Sequence, residues 1–111
     1  MAVLLVSALL DACGSSSSTA AKLAAKRTCK EVEAVLSDGP EAAADPVGYA
    51  QAQVLPLRQI RTSDRELRAA IDRLASAYQT VYLDGRVEPA AKRAVSSAAA
   101  GLDQLCPGAA A

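Results

Sequence analysis

The stretch SDRELRAAIDRLASAYQTVYLDG, residues 63–85, decides the fold class of this chain. Its apolar side chains recur every three or four residues, which places them on one face of an α-helix. Ser63 and Glu66 fit a capping box at its start, and Asp84-Gly85 is a typical helix stop. The stretch therefore predicts an amphipathic helix that buries Leu67, Ile71, Leu74, Tyr78 and Val81.

Three other segments repeat this spacing and have their own start and stop signals. The segment before Asp38-Gly39-Pro40 has Ala25, Cys29, Val32 and Leu36 on one face. The next begins with Asp45 as N-cap and Pro46 at the first helical position, and its face carries Val47, Ala50, Val54, Leu57 and Ile60. Pro56 lies inside it and predicts a kink or break. The last opens at Pro89, ends before Pro107-Gly108, and aligns Ala91, Val95, Ala98, Leu102 and Leu105.

Composition agrees with a small helical domain and excludes several classes of protein. The 111 residues include 26 alanines but no Phe, Trp or His, and the formal net charge is zero. Alanine favours helices over strands. The absence of histidine removes the commonest general base and metal ligand, and balanced charge argues against nucleic-acid binding through phosphates. We expect an all-α, small antiparallel bundle of three to four helices over residues 28–107, and no enzyme, cofactor or metal site.

The amino terminus has the layout of an export signal. Residues 2–10 form an apolar run that is too short to span a bilayer but suits the core of a signal peptide. Leu10-Asp11-Ala12-Cys13, followed by Gly14 and four serines, resembles the lipobox and tether of bacterial lipoproteins, particularly those of high-GC Gram-positive bacteria. The resemblance implies cleavage after residue 12, a diacylglyceryl group on Cys13 and attachment to the outer face of the cell membrane. It extends to no named functional family.

This resemblance sets the expected boundaries of the chain. Residues 1–12 would be the signal peptide, and residues 13–27 a lipid-anchored tether and stalk with a flexible Gly-Ser portion. Lys22, Lys26 and Arg27 in the stalk would lie against anionic lipid heads or simply in solvent. Residues 108–111 would be a disordered tail.

If Cys13 is lipidated, a role can be assigned to each of the three cysteines. With Cys13 acylated, Cys29 and Cys106 are left as one pair in an oxidising compartment. Because up-down-up-down topology makes the first and last helices antiparallel, Cys106 would then face the start of the packed part of the first helix. The alternative is a cytosolic helical protein with two free buried thiols.

Four arginines form the charge pattern that we single out. Arg58, Arg61, Arg65 and Arg68 are spaced three, four and three apart across the second and third helical segments. They are interpreted either as solvated surface residues or as a patch for an anionic partner, such as a wall polymer, a lipid head group or an acidic envelope protein.

Two chemical alternatives have less support from the sequence. A Ser/Lys pair would need Ser96 or Ser97 beside Lys92 in a pocket, and nothing in the sequence places them there. Tyr49, Tyr78 and Tyr82 are the only aromatic residues, and phenolate can ligate haem iron. We therefore expect a non-catalytic binding or accessory protein of the cell envelope. The alternative is a carrier of haem or lipid, which a cavity lined by Leu, Val and Tyr would favour.

Overall fold

The computed structural model describes the backbone of residues 8–110 and the side chains of residues 19–110. Over this part of the chain the backbone forms four helices and no strand: α1 (Ala8–Leu36), α2 (Pro46–Gln59), α3 (Arg65–Asp84) and α4 (Pro89–Leu105). α3 packs between α2 and α4, while α1 packs on α2 and is joined to α4 by a disulfide. The predicted all-α bundle is confirmed.

Local signals account for most helix boundaries. Asp45 accepts a hydrogen bond from the Gly48 amide at 2.9 Å and caps α2, as predicted. Gly85 ends α3 in the left-handed conformation at φ 69°, which glycine adopts without strain. The predicted capping box is wrong by one residue, because Asp64 rather than Ser63 caps α3 by accepting from the Leu67 amide.

Pro56 does not break α2, which continues to Gln59. Proline removes the hydrogen bond that residue 56 would donate to the Ala52 carbonyl, but only three residues of α2 follow it, so little of the helix depends on that turn. The carbonyls of Leu57 and Ile60 beyond it accept hydrogen bonds from the guanidinium of Arg68 on α3. A residue of the next helix therefore supports the end of α2.

The core lies between α2, α3 and α4, with a smaller contribution from α1. Its largest fully buried apolar side chains are Leu57, Ile71, Leu74, Leu102 and Val32. One predicted core position is wrong, because Leu105 is 39% exposed. Seven others are only half-buried, and all of them except Ala25 and Val54 pack against the buried core: Ala25, Cys29, Leu36, Val47, Val54, Tyr78 and Val95. In α2 the buried position next to Val54 is taken by Gln53, which is 1% exposed.

Both ends of the chain differ from expectation. α1 begins at Ala8, so residues 14–18 are helical backbone instead of a flexible tether. Alanines on either side favour continuation of the helix through the serines. At the other end, residues 108–110 form a turn in which Ala109 is buried, and the Gly108 amide donates to Asp103 at 2.7 Å. The predicted disordered tail therefore does not apply to these residues.

α1 extends well beyond the bundle. Every residue from 19 to 27 is exposed except half-buried Ala25, and the first buried side chain is Thr28. The molecule has extents of 75 × 22 × 20 Å. Residues 19–27, expected to form the stalk, are helical.

Candidate functional site

An apolar cleft opens at the end of the bundle where α2 begins, α3 ends and α4 begins. Its volume is about 560 Å³. The walls are Ala42, Ala43, Pro46, Tyr49, Ala50, Tyr78, Val81, Val87, Lys92, Val95 and Ser96. Beneath it, Ala50, Val81 and Ala91 form a small buried cluster. The small alanine side chains let the helices pack closely at the base of the cleft, and the larger valines and tyrosines form its walls.

Two tyrosines form one wall of the cleft, and one of them hydrogen-bonds this wall to the end of α1, where the α1–α2 connection begins. The rings of Tyr49 and Tyr78 meet edge to face, with centroids 5.7 Å apart. The Tyr49 hydroxyl donates to the Leu36 carbonyl at 2.6 Å, at the carboxyl end of α1. This hydrogen bond satisfies one of the last carbonyls of α1 and fixes the ring.

Burial keeps both phenols in the neutral form. It raises the pKa of Tyr49, and it raises the pKa of Tyr78 further, with the neighbouring Tyr49 as a second cause. Haem iron is bound by phenolate rather than phenol, so a raised pKa opposes ligation. The raised pKa of both phenols therefore opposes iron ligation by Tyr49 or Tyr78.

The cleft has one cationic side chain, Lys92, at its rim. Ser96 lies one helical turn further along α4 and lines the same cleft, so the structure brings together a pair that the sequence did not. Nucleophilic catalysis would require a hydrogen bond from the serine to a base. The Ser96 hydroxyl makes no hydrogen bond to another described residue. The lysine and serine therefore provide a charge and a polar contact without an assembled catalytic pair.

The disulfide lies at the opposite end of the bundle. Cys29 and Cys106 are bonded, with Cα atoms 5.3 Å apart, as predicted. Cys106 is buried and Cys29 half-buried. Among the described side chains of α1, only Thr28 and Val32 are fully buried, with Val35 and Leu36 packed partly buried against the core, so this bond is a major part of the attachment of α1.

The four arginines singled out in the sequence do not form one continuous stripe on the surface. They are Arg58, Arg61, Arg65 and Arg68. The chain leaves the helical conformation between Gln59 and Arg65, which places them around a corner. Arg58 donates to Gln79 at 2.8 Å, and Arg68 pairs with Asp72 at 2.7 Å in addition to its bonds to α2. Arg61 and Arg65 are exposed and have no ion-pair partner among the described side chains. Two of the four arginines therefore bind within the protein, and two face solvent.

Metal binding and membrane spanning can be compared with the described residues. No group of three potential metal ligands occurs among the described residues. None of the four helices, over the residues described, combines the length and apolarity needed to cross a membrane. The Cys13 side chain lies outside the described residues, so its lipidation stays a prediction.

Gln53 and Thr28 are the two buried polar residues among the described side chains, and the sequence analysis predicted neither. Gln53 is the more deeply buried of the two. Its Nε2 donates to the Asp38 carbonyl at 2.9 Å and holds the α1–α2 loop against α2, while its Oε1 has no partner among the described atoms. Gly39 makes room for this contact, because a Cβ there would lie 3.1 Å from the Ala52 Cβ. A glutamine one residue before Val54 on an apolar helix was the available signal.

Comparison with known proteins gives no relative from which to transfer a function. No family profile, curated protein or solved structure matches this chain significantly. The functional interpretation therefore depends on the residues and geometry described above.

Proposed function

We propose that this protein is a lipid-anchored, non-catalytic binding or accessory module on the outer face of the cell membrane, with Cys13 as the acylated residue. The observation that carries the proposal is the Cys29–Cys106 disulfide. Disulfides persist mainly in extracytoplasmic, oxidising compartments. Pairing of these two cysteines leaves Cys13, which follows the apolar run, as the third.

The stalk supports the same arrangement. Residues 19–27 extend α1 beyond the bundle toward Cys13, so an anchor there would place this end of the bundle next to the bilayer. Two acyl chains on one cysteine would anchor stably, because each buried methylene contributes about 0.8 kcal/mol. The partner would be an envelope protein or an anionic polymer.

Intact-mass analysis after expression in a Gram-positive host tests this proposal. We expect a chain that begins at Cys13, carries acyl groups such as palmitate, and gains two hydrogens on reduction. The Cys13→Ala variant should remain unacylated and leave the membrane fraction. Full-length, unacylated protein with free thiols at Cys29 and Cys106, recovered from the cytoplasm, would contradict the proposal.

A second candidate function is the transport or storage of a small apolar ligand, and the cleft at Tyr49 and Tyr78 favours it. Its volume of about 560 Å³ falls within the usual range for small-molecule sites of about 300–1,000 Å³. Its walls combine valines and tyrosines with a single cation, Lys92. A fatty acid or another anionic amphiphile would match this lining.

Titration with a fluorescent fatty acid tests the carrier function. Val87→Trp fills the rim of the cleft and should reduce binding at least tenfold. Leu55→Trp, on an exposed position of α2 outside the cleft, is the matched control and should bind like the parent. Equal binding by both variants, or no saturable binding by the parent, would exclude this cleft as the site.

A further inference from the structure

We infer that the end of the bundle next to the stalk is a membrane-docking surface that binds anionic phospholipid head groups. This inference deepens the proposed function, since it names the surface that would face the bilayer. The surface, called the basic end below, consists of residues 19–31, residues 58–68 and residues 103–110. These segments adjoin because the α2–α3 connection and the chain beyond α4 both pack beside α1 near Cys29.

Charge is segregated along the bundle, although the whole chain is neutral. The basic end carries eight basic and four acidic side chains. The opposite end, residues 37–49 and 82–93, carries three basic and five acidic ones. The sequence alone does not reveal this polarity, because each end is assembled from segments that are far apart along the chain.

Most cations of the basic end are available for an external anion. Six are exposed and have no ion-pair partner among the described side chains, whereas Arg58 and Arg68 bind within the protein. The six are Lys22, Lys26, Arg27, Lys30, Arg61 and Arg65. Of the four carboxylates there, Asp64 and Asp103 accept hydrogen bonds from backbone amides, and Asp64, Glu31 and Glu66 are exposed. The six exposed cations therefore outnumber the three exposed carboxylates two to one.

Five of the six exposed cations line two depressions that lead from the stalk onto the bundle. Arg27 of α1 and Arg61 of the α2–α3 connection lie in one depression of about 460 Å³, together with Glu31. Lys22, Lys26 and Lys30 follow each other at intervals of one helical turn along a second, of about 690 Å³, which Glu33 also lines. Two cations in the first depression and three in the second suit phosphate groups in a plane better than a single bound anion.

Exposed leucines lie beside these lysines, which favours a bilayer over a purely polar anion. Leu23 is 55% exposed and Leu105 is 39% exposed, and both line the depression with Lys22, Lys26 and Lys30. Cations next to apolar side chains are the pattern of surfaces that settle at the interface between head groups and acyl chains. The basic end also lies on the side of the bundle from which α1 leads back toward Cys13.

Vesicle binding by the unacylated Cys13→Ser chain tests the inference separately from lipidation. We expect binding to vesicles that contain phosphatidylglycerol, little binding to pure phosphatidylcholine, and loss of binding in high salt. Arg27→Gln, Arg61→Gln and Arg65→Gln combined should weaken binding on the order of 100-fold, since each cation contributes about fivefold near an anionic surface.

Matched variants separate position from net charge. Arg73→Gln, Arg86→Gln and Arg93→Gln combined remove the same charge outside the basic end and should bind anionic vesicles nearly as well as the parent. Leu23→Gln with Leu105→Gln should weaken binding, whereas Leu55→Gln with Leu83→Gln should not. Circular dichroism would confirm that each variant is folded.

Three results would overturn the inference. The first is equal binding to anionic and zwitterionic vesicles. The second is equal weakening of binding by the basic-end triple variant and by the control triple variant outside the basic end. The third is normal vesicle binding by the basic-end triple variant together with loss of its retention on an anionic wall polymer, which would assign the surface to a polymer. Loss of acylation in cells would contradict the proposed function but would leave the vesicle result unchanged.

Discussion

Reduction of the Cys29–Cys106 disulfide should destabilise the protein strongly and release α1 first. The bond joins residues 77 positions apart. Closing an unfolded loop of that length costs roughly 4.5 kcal/mol of conformational entropy, which is an upper value for the stabilisation. Among the described side chains of α1, only Thr28 and Val32 are fully buried, and Val35 and Leu36 pack partly buried against the core. Because full burial of a valine contributes about 1.5–3 kcal/mol, these apolar contacts would not fully replace the disulfide.

Thermal unfolding of the Cys13→Ser chain, oxidised and reduced, measures the effect. A loss of about 2–4 kcal/mol corresponds to a fall in Tm of roughly 10–30 °C for a domain of this size. Hydrogen exchange of the reduced protein at room temperature should show early loss of protection in residues 28–36, while the amides of α3 remain protected. The Cys29→Ala/Cys106→Ala variant should be insensitive to reductant.

A reduced protein whose free energy of unfolding lies within about 1 kcal/mol of the oxidised form would contradict this prediction for the disulfide. The prediction would also be refuted if residues 28–36 exchanged no faster than α3 after reduction. Either result would mean that the packing of α1 on α2 is sufficient to hold it.

Three other predictions concern local contacts. Arg68→Gln should destabilise the fold by about 1.5–3 kcal/mol in urea unfolding, because it removes charged hydrogen bonds at the end of α2, whereas Arg65→Gln should change little. Gly85→Ala should lower Tm because its φ is 69°, and Gly101→Ala should raise it, since a Cβ there has open space and alanine is favoured in a helix interior by about 1 kcal/mol. Stability should fall as pH rises above about 10, because the unfolded chain then loses phenolic protons that the fold retains, and Tyr78→Phe should flatten this dependence; an unchanged profile would contradict the placement of Tyr78.

The sequence predicted the number of helices and most of their boundaries, because these depend on local chemistry. Asp45, Pro46, Gly85 and Pro89 act on backbone groups within a few residues, so their signals are readable without the fold. The shift of the α3 cap from Ser63 to Asp64 falls within the same turn. Both residue types suit an N-cap, and the path of the chain entering α3 selects one of them.

The contents of the core were less predictable where a polar side chain found a partner. Gln53 replaces the expected Val54 because its amide reaches the Asp38 carbonyl in the α1–α2 loop. That carbonyl is fifteen residues away, so helical periodicity contains no sign of it. The exposure of Leu105 likewise depends on how far α1 and the turn after Cys106 extend over α4.

The candidate sites also combine features that local sequence patterns predict with features that depend on helix packing. Periodicity and composition were enough to predict an all-helical chain with an apolar amino terminus and three cysteines, because they act locally. Only the tertiary structure decided that Arg58 and Arg68 bind within the protein, that Tyr49 and Tyr78 share a cleft with Lys92, and that Arg27 and Arg61 lie in one depression. These contacts join residues on different helices, and their distances depend on how the helices pack, which no local pattern encodes.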